Sequence, residues 1–170
     1  RRPAALNVLA DRLPVGCLLV TGFEGPAAVV AAETRAAYAL LTAAGGRDRG
    51  PGPGEAWAHN RYAVSFKQPK VFVAGAFVDT MEISAPWETL PGLYRAVRAK
   101  IGGHAFIMGH FSHAYREGCS IYFTFVGRRS RPEDAAALHE QLWQDAMTAV
   151  DRASGSISHH HGVGITKRQF

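Results

Sequence analysis

The chain has 170 residues, with 19 Lys and Arg against 14 Asp and Glu, a formal charge of +5, two Cys and 47% apolar residues. That length suits one domain with a core of its own, and the aromatic and β-branched content excludes a disordered chain. No apolar run approaches the roughly 20 residues of a membrane helix, and no signal-peptide pattern follows Arg1. Two cysteines are too few for a disulfide framework and fit a reducing, cytoplasmic setting.

The positive charge is thinly spread. Its densest clusters are Arg128-Arg129-Ser130-Arg131 and Lys167-Arg168, with no basic stripe interleaved with aromatics, so nucleic acid is not an expected partner. Both ends read as cut. The opening Ala-rich segment has no capping signal, and Phe170 follows what looks like the start of a helix. The expectation is one domain over 1–170, truncated at both ends and taken from a longer protein.

In chain order, the glycine-bounded apolar run 16–23 predicts a buried strand. Pro26 opens a helix over about 26–44, stopped by Gly45-Gly46. The Gly/Pro-rich stretch 46–54 predicts a loop, and 55–62 a short helix. Up to Gly75 the pattern is ambiguous, although Pro69 argues against a central strand. Residues 76–84 alternate as a strand does, and Leu90, Leu93, Tyr94, Val97 and Ile101 mark a helix over 87–101.

Residues 104–115 and 120–126 predict two strands joined by a hairpin-like turn at Arg116-Glu117-Gly118. Ser130-Arg131-Pro132-Glu133 resembles a capping box before a helix to about Ala153, with Leu138, Leu142, Met147 and Val150 inward. Residues 156–158 are a short extended piece and 159–164 a loop. The order of elements predicts an α+β fold, an antiparallel or mixed sheet covered by helices on one face.

The chemistry-bearing residues are mostly histidines. His159, His160 and His161 are consecutive, and glycines after them let backbone approach a flat or anionic group. Strand alternation puts His104 and His110 on one face and His113 on the other. Adjacent histidines on an extended loop point to opposite sides, so at most two of the three serve one metal, and no metal ligand set is assigned. Gly162-Val163-Gly164 is half a dinucleotide fingerprint without its strand. Cys119 reads as a structural thiol. Tyr122 sits mid-strand, and Asp79 and Glu82 fall on opposite faces of theirs.

Four segments carry a resemblance. They are Leu18-Leu19-Val20-Thr21-Gly22-Phe23-Glu24-Gly25, Asp79-Thr80-Met81-Glu82-Ile83-Ser84-Ala85-Pro86-Trp87, Cys119-Ser120-Ile121-Tyr122-Phe123-Thr124-Phe125, and Gly155-Ser156-Ile157-Ser158-His159-His160-His161-Gly162-Val163-Gly164. In type and order they resemble the C-terminal cap domain of FAD-linked oxidases of the vanillyl-alcohol-oxidase type. Within that family the resemblance is to the alkyldihydroxyacetonephosphate-synthase subgroup and its bacterial relatives.

The resemblance implies a ferredoxin-like cap whose sheet covers the flavin of an FAD held mainly by a separate N-terminal domain, its partner here. It implies Tyr122, His160 and His161 as catalytic residues, and His159, His160, His161 and Gly162 against the cofactor. A phenol needs nearby positive charge to act as a base, and the imidazoles would supply it. Where the subgroup carries an arginine for substrate phosphate, this sequence has Gln68. Arg61, Lys67 and His110 are therefore the candidates for a small, anionic substrate. A homodimer is left open.

The runner-up is a cap of a metal-assisted 2-hydroxy-acid dehydrogenase. Gly109-His110 keeps the first histidine of that subgroup's Gly-His-x-Gly-Asp-Gly-Asn-x-His metal set, but His160 stands where its loop has glutamate. A third reading is a non-catalytic, His-rich metal-binding module using His110, His113 and the triple histidine.

Overall fold

The computed structural model describes residues 3–13, 16–66 and 68–170. In chain order its elements are helices α1 (Pro3–Arg12), α2 (Ala27–Ala43), α3 (Gly52–Asn60) and α4 (Gln68–Val73). There follow strand β1 (Ala76–Pro86), helix α5 (Leu90–Ile101), strands β2 (Phe106–Ser112) and β3 (Gly118–Arg128), and helices α6 (Pro132–Arg152) and α7 (Gly164–Lys167). They form two compact units, one from residues 3–13 and 68–170, the other from 16–66.

The first unit holds the sheet. Its three strands are antiparallel in the order β1-β3-β2. Odd-numbered residues of β1 and β3 (Met81, Ile83, Ile121, Phe123, Phe125) meet Leu93, Val97 and Ile101 of α5 and Leu142, Ala146, Met147 and Val150 of α6, all fully buried. The spacing of three and four along each helix gives it one apolar stripe, and that stripe is the face laid on the sheet. At roughly 25 cal/mol per Å² of apolar surface removed from water, this contact is the main stabiliser of the unit. Gly109 allows one close approach, since a Cβ there would lie 2.9 Å from the Tyr94 ring.

Polar residues tie the outer elements on. Asn7 of α1 is buried, donates from Nδ2 to the carbonyls of Gly102 and Ala105 (both 2.9 Å) and accepts the Ile107 N–H at 3.0 Å. Arg98 Nη2 donates to both carboxylate oxygens of Asp11, at 2.8 and 2.9 Å. On the helix-covered side Asp79 lies 2.7 Å from His139 Nε2 and accepts the Trp143 indole N–H at 3.0 Å, joining β1 to α6.

The second unit departs most from the sequence reading. Residues 16–23 form no strand, and Leu18, Leu19 and Val20 are exposed. A continuous apolar run carries no periodicity to separate a strand from coil. Among the described residues it has no partner strand to satisfy its backbone. The helix after Pro26 forms as expected, with Pro26 just outside it. α3 starts at Gly52, inside the predicted loop, because Pro53 takes a first-turn position where its missing N–H is not needed.

Other boundaries shift for local reasons. α1 forms without a sequence signal. α5 begins at Leu90, after Thr89 donates its hydroxyl to the Pro86 carbonyl. The predicted capping box does not form. Arg131 instead binds Asp134 through Nε and Nη2 at 2.8 and 2.7 Å. The β2–β3 connection is 113–117, longer than the three residues expected.

Candidate functional site

Among the described residues of the first unit, α5 and α6 pack on the first face of the sheet, and the even-numbered residues of the second face are mostly polar. Register sets Glu82, Tyr122 and His110 side by side in one row across the three strands. The next row is Ser84, Ser120 and Ser112. Alternation along each strand therefore collects the chemistry on one side and the core on the other.

A short bridge brings the histidine loop to this face. Ser84 and Ser156 exchange both backbone hydrogen bonds, at 3.0 and 2.8 Å, on the free edge of β1. The chain then turns back, with the Ser158 hydroxyl donating to the Gly162 carbonyl at 3.1 Å. Gly162 takes a φ of 78, a left-handed conformation that glycine adopts without strain. After it, α7 is pinned by buried Lys167, whose Nζ donates to the Glu82 carbonyl at 3.2 Å. Burial moves the Lys167 pKa downward despite the Glu82 charge.

Glu82 organises the loop from beneath. Its Oε2 accepts the backbone N–H of His159, His160 and His161 at 3.2, 3.0 and 3.1 Å, while its side chain is sealed from solvent. Burial alone would raise this carboxylate's pKa, but the three N–H donors favour the anion and bring it to about 2. Glu82 is thus a permanent buried negative charge, and the sequence reading gave it no role. A carboxylate on the polar face of a strand, alternating with Met81 and Ile83, was the available signal.

Tyr122 lies opposite Glu82, with its hydroxyl 3.2 Å from His160 Nε2. Its ring centroid is 5.3 Å from that of His161, edge to face, and 5.8 Å from that of His110. The structure thus brings together Tyr122, His159, His160, His161 and His110. It corrects one expectation of their electrostatics. Burial, and then the Glu82 carboxylate, push the Tyr122 phenol up to about 12, whereas the imidazoles were expected to lower it. At neutral pH the Tyr122 phenol keeps its proton.

His113 is a second correction. Alternation put it on the far face, but it lies one residue past β2 with a φ of 50, which turns its ring back over the open face. Its centroid is 5.2 Å from His159 and 4.9 Å from His160. His104, expected to share a face with His110, sits in the turn before β2 and is exposed. Arg61 is exposed in the second unit, its guanidinium 4.5 Å from the Tyr62 ring. Lys67 lies outside the described residues. Cys119 is buried with its thiol pKa raised by burial, as a structural thiol would be.

Beside His159 runs an open groove of about 450 Å³, lined by Ser84, Ser120, Ser154, Ser156 and Tyr115 among others. Its lining also includes Ala85, Pro86 and Glu117, so the hydroxyls and the single imidazole of His159 stand among apolar surface and one carboxylate.

The sequence model for the family "FAD linked oxidases, C-terminal domain" matches residues 4–170. The chain is 30% identical over 156 residues to the alkyldihydroxyacetonephosphate synthase of Dictyostelium discoideum, covering 87% of this chain and 25% of that protein. It is 29% identical over 154 residues to the Trypanosoma brucei brucei synthase, covering 86% and 25%. An uncharacterized FAD-linked oxidoreductase of Escherichia coli K12, YgcU, is 28% identical over 111 residues, covering 59% of this chain and 23% of that protein. A solved alkyldihydroxyacetonephosphate synthase structure superposes with a TM-score of 0.64 at 22% identity, over 79% of this chain and 25% of that one, a likeness of fold. The chain spans about a quarter of the length of these relatives.

Proposed function

The chain belongs to the C-terminal domain family of FAD-linked oxidases, and from that premise we propose that its open sheet face covers the reactive ring of FAD in a longer flavoprotein acting on a hydroxylated or phosphorylated small molecule. The juxtaposition of Tyr122, His160 and His161 on that face carries the reading. The residues fit the ring end of the cofactor, since planar imidazoles, a phenol and the side-chain-free Gly162 can lie against a flat, charge-accepting surface. They do not fit its nucleotide end. The four-residue α7 behind Gly162-Val163-Gly164 is too short to bind a diphosphate, which we assign to a separate domain.

FAD bound there supplies the two-electron chemistry. Tyr122 holds a proton on its hydroxyl at neutral pH and exchanges it with a substrate oxygen. His160 Nε2, at 3.2 Å, is the group through which that hydroxyl hands on or regains its proton. His161 and His110 flank the phenol and offer N–H donors to negative charge on flavin or substrate. Arg61 and Lys67 stay candidates for the substrate's anionic group only as substitutes for the arginine that Gln68 replaces. On cysteine usage we place the protein in a reducing, cytoplasmic compartment.

Two measurements test this. The 170-residue chain alone should purify without stoichiometric flavin. A longer chain that includes the FAD-binding domain should hold FAD, keep it in Tyr122→Phe, and lose roughly 10²–10⁴-fold in turnover on a substrate found by screening hydroxy acids and phosphorylated alcohols. Stoichiometric flavin on the short chain, or unchanged turnover in Tyr122→Phe, contradicts the proposal.

A further inference from the structure

Three atoms crowd one point beneath the histidine loop. Glu82 Oε1 is buried and has no aligned hydrogen-bond donor among the described residues. His160 Nδ1 lies 2.6 Å from it and His159 Nδ1 3.6 Å. The two Nδ1 atoms are 3.1 Å apart. A carboxylate oxygen and two imidazole nitrogens this close share either a proton, as from His160 Nδ1–H to Glu82 Oε1, or a cation.

The spacings suit a metal ion. Bonds of about 2.0–2.2 Å in a tetrahedron give ligand–ligand edges of about 3.3–3.6 Å. The separations of 3.1 and 3.6 Å lie close to that range, and the 2.6 Å edge opens as a cation enters.

His113 provides the fourth corner, with a ligand nitrogen within 4.8 Å of the other three donor atoms. It reaches that position through its φ of 50, a strained conformation for a residue with a side chain. Its tautomer is also prepared. The Ser120 hydroxyl donates to the Ser112 carbonyl at 2.8 Å, so its oxygen is left to accept from His113 Nδ1 at 3.4 Å, and Nε2 is free as a ligand. The other ligands are braced as well. Glu82 Oε2 is held by three backbone N–H groups, and with Nδ1 on the cation His160 Nε2 keeps its proton and donates to the Tyr122 oxygen, a state distinct from the one in which Nε2 accepts the phenol's proton.

We propose that Glu82, His113, His159 and His160 form a binding site for a divalent transition-metal cation of the zinc class. Three imidazoles and one carboxylate favour such an ion over magnesium or calcium, which prefer oxygen. This is not the ligand set of the 2-hydroxy-acid subgroup, because His110 is outside it. Binding here requires no flavin.

The test uses the whole chain without a histidine tag, stripped by chelator and titrated with Co²⁺. The expected result is one saturable Co²⁺ per chain, showing the intense visible bands of four-coordinate cobalt and displaced by Zn²⁺. His113→Asn, which tolerates the left-handed backbone, should weaken binding by about 10–100-fold or more, as should Glu82→Gln. His104→Ala, in an exposed turn, should bind as wild type. Should Glu82→Gln fail to fold, His113→Asn decides. Absence of saturable binding overturns the proposal. So does wild-type affinity in His113→Asn, or loss in His110→Ala while His113→Asn still binds.

Discussion

Glu82 shows how one side chain can hold a site without being its reactive group. One oxygen collects the backbone N–H groups of three successive histidines. The other lies buried against the rings of His159 and His160. Removing the carboxylate leaves three donors to find water, and the loop loses its anchor. In Glu82→Ala, amides 159–161 should lose hydrogen-exchange protection while those of the central strand β3 keep theirs. Unchanged protection at the loop would show that the Ser84–Ser156 bridge and Lys167 alone hold it. Tyr122 depends on the same charge, since burial and the Glu82 carboxylate together keep its phenol protonated well above neutral pH.

At the scale of elements, the sheet separates packing from chemistry by parity alone. Met81, Ile83, Ile121, Phe123 and Phe125 enter the core, and Glu82, Ser84 and Tyr122 between them meet the histidine loop. The alternation of 76–84 made β1 legible, and the stripes on α5 and α6 made the helices legible. What escaped depends on tertiary partners. The run 16–23 has strand composition but no neighbouring strand. His113 obeys a backbone angle and not the strand period. Glu82 was set against Asp79 along its own strand, whereas its partner is Tyr122 across the sheet, a register no local pattern reveals. α1 is a comparable case, because its attachment rests on Asn7. Asn7→Ala strands buried backbone groups of Ala105 and Ile107 and should destabilise the first unit by about 3 kcal/mol, read from denaturant unfolding.

Over the whole molecule, the family and the α+β fold were legible because the marker segments are short and local, and the chain carries them in order. The charge of +5 has a different significance from that of a polyanion footprint. The formal cation closest to the chemistry is Lys167, on the Glu82 carbonyl, and three uncounted histidines gather around the Glu82 carboxylate. On the proposed reading this face offers one side of a reaction site and a separate cofactor domain the other. The most direct test is the midpoint potential of FAD bound to the longer protein, compared between wild type and His161→Gln, a residue outside the proposed metal set. If the histidine loop lies against the flavin, loss of His161 removes a donor that stabilises the reduced, anionic ring, and the potential falls. An unchanged potential, with FAD fully bound, would mean that this face does not cover the flavin.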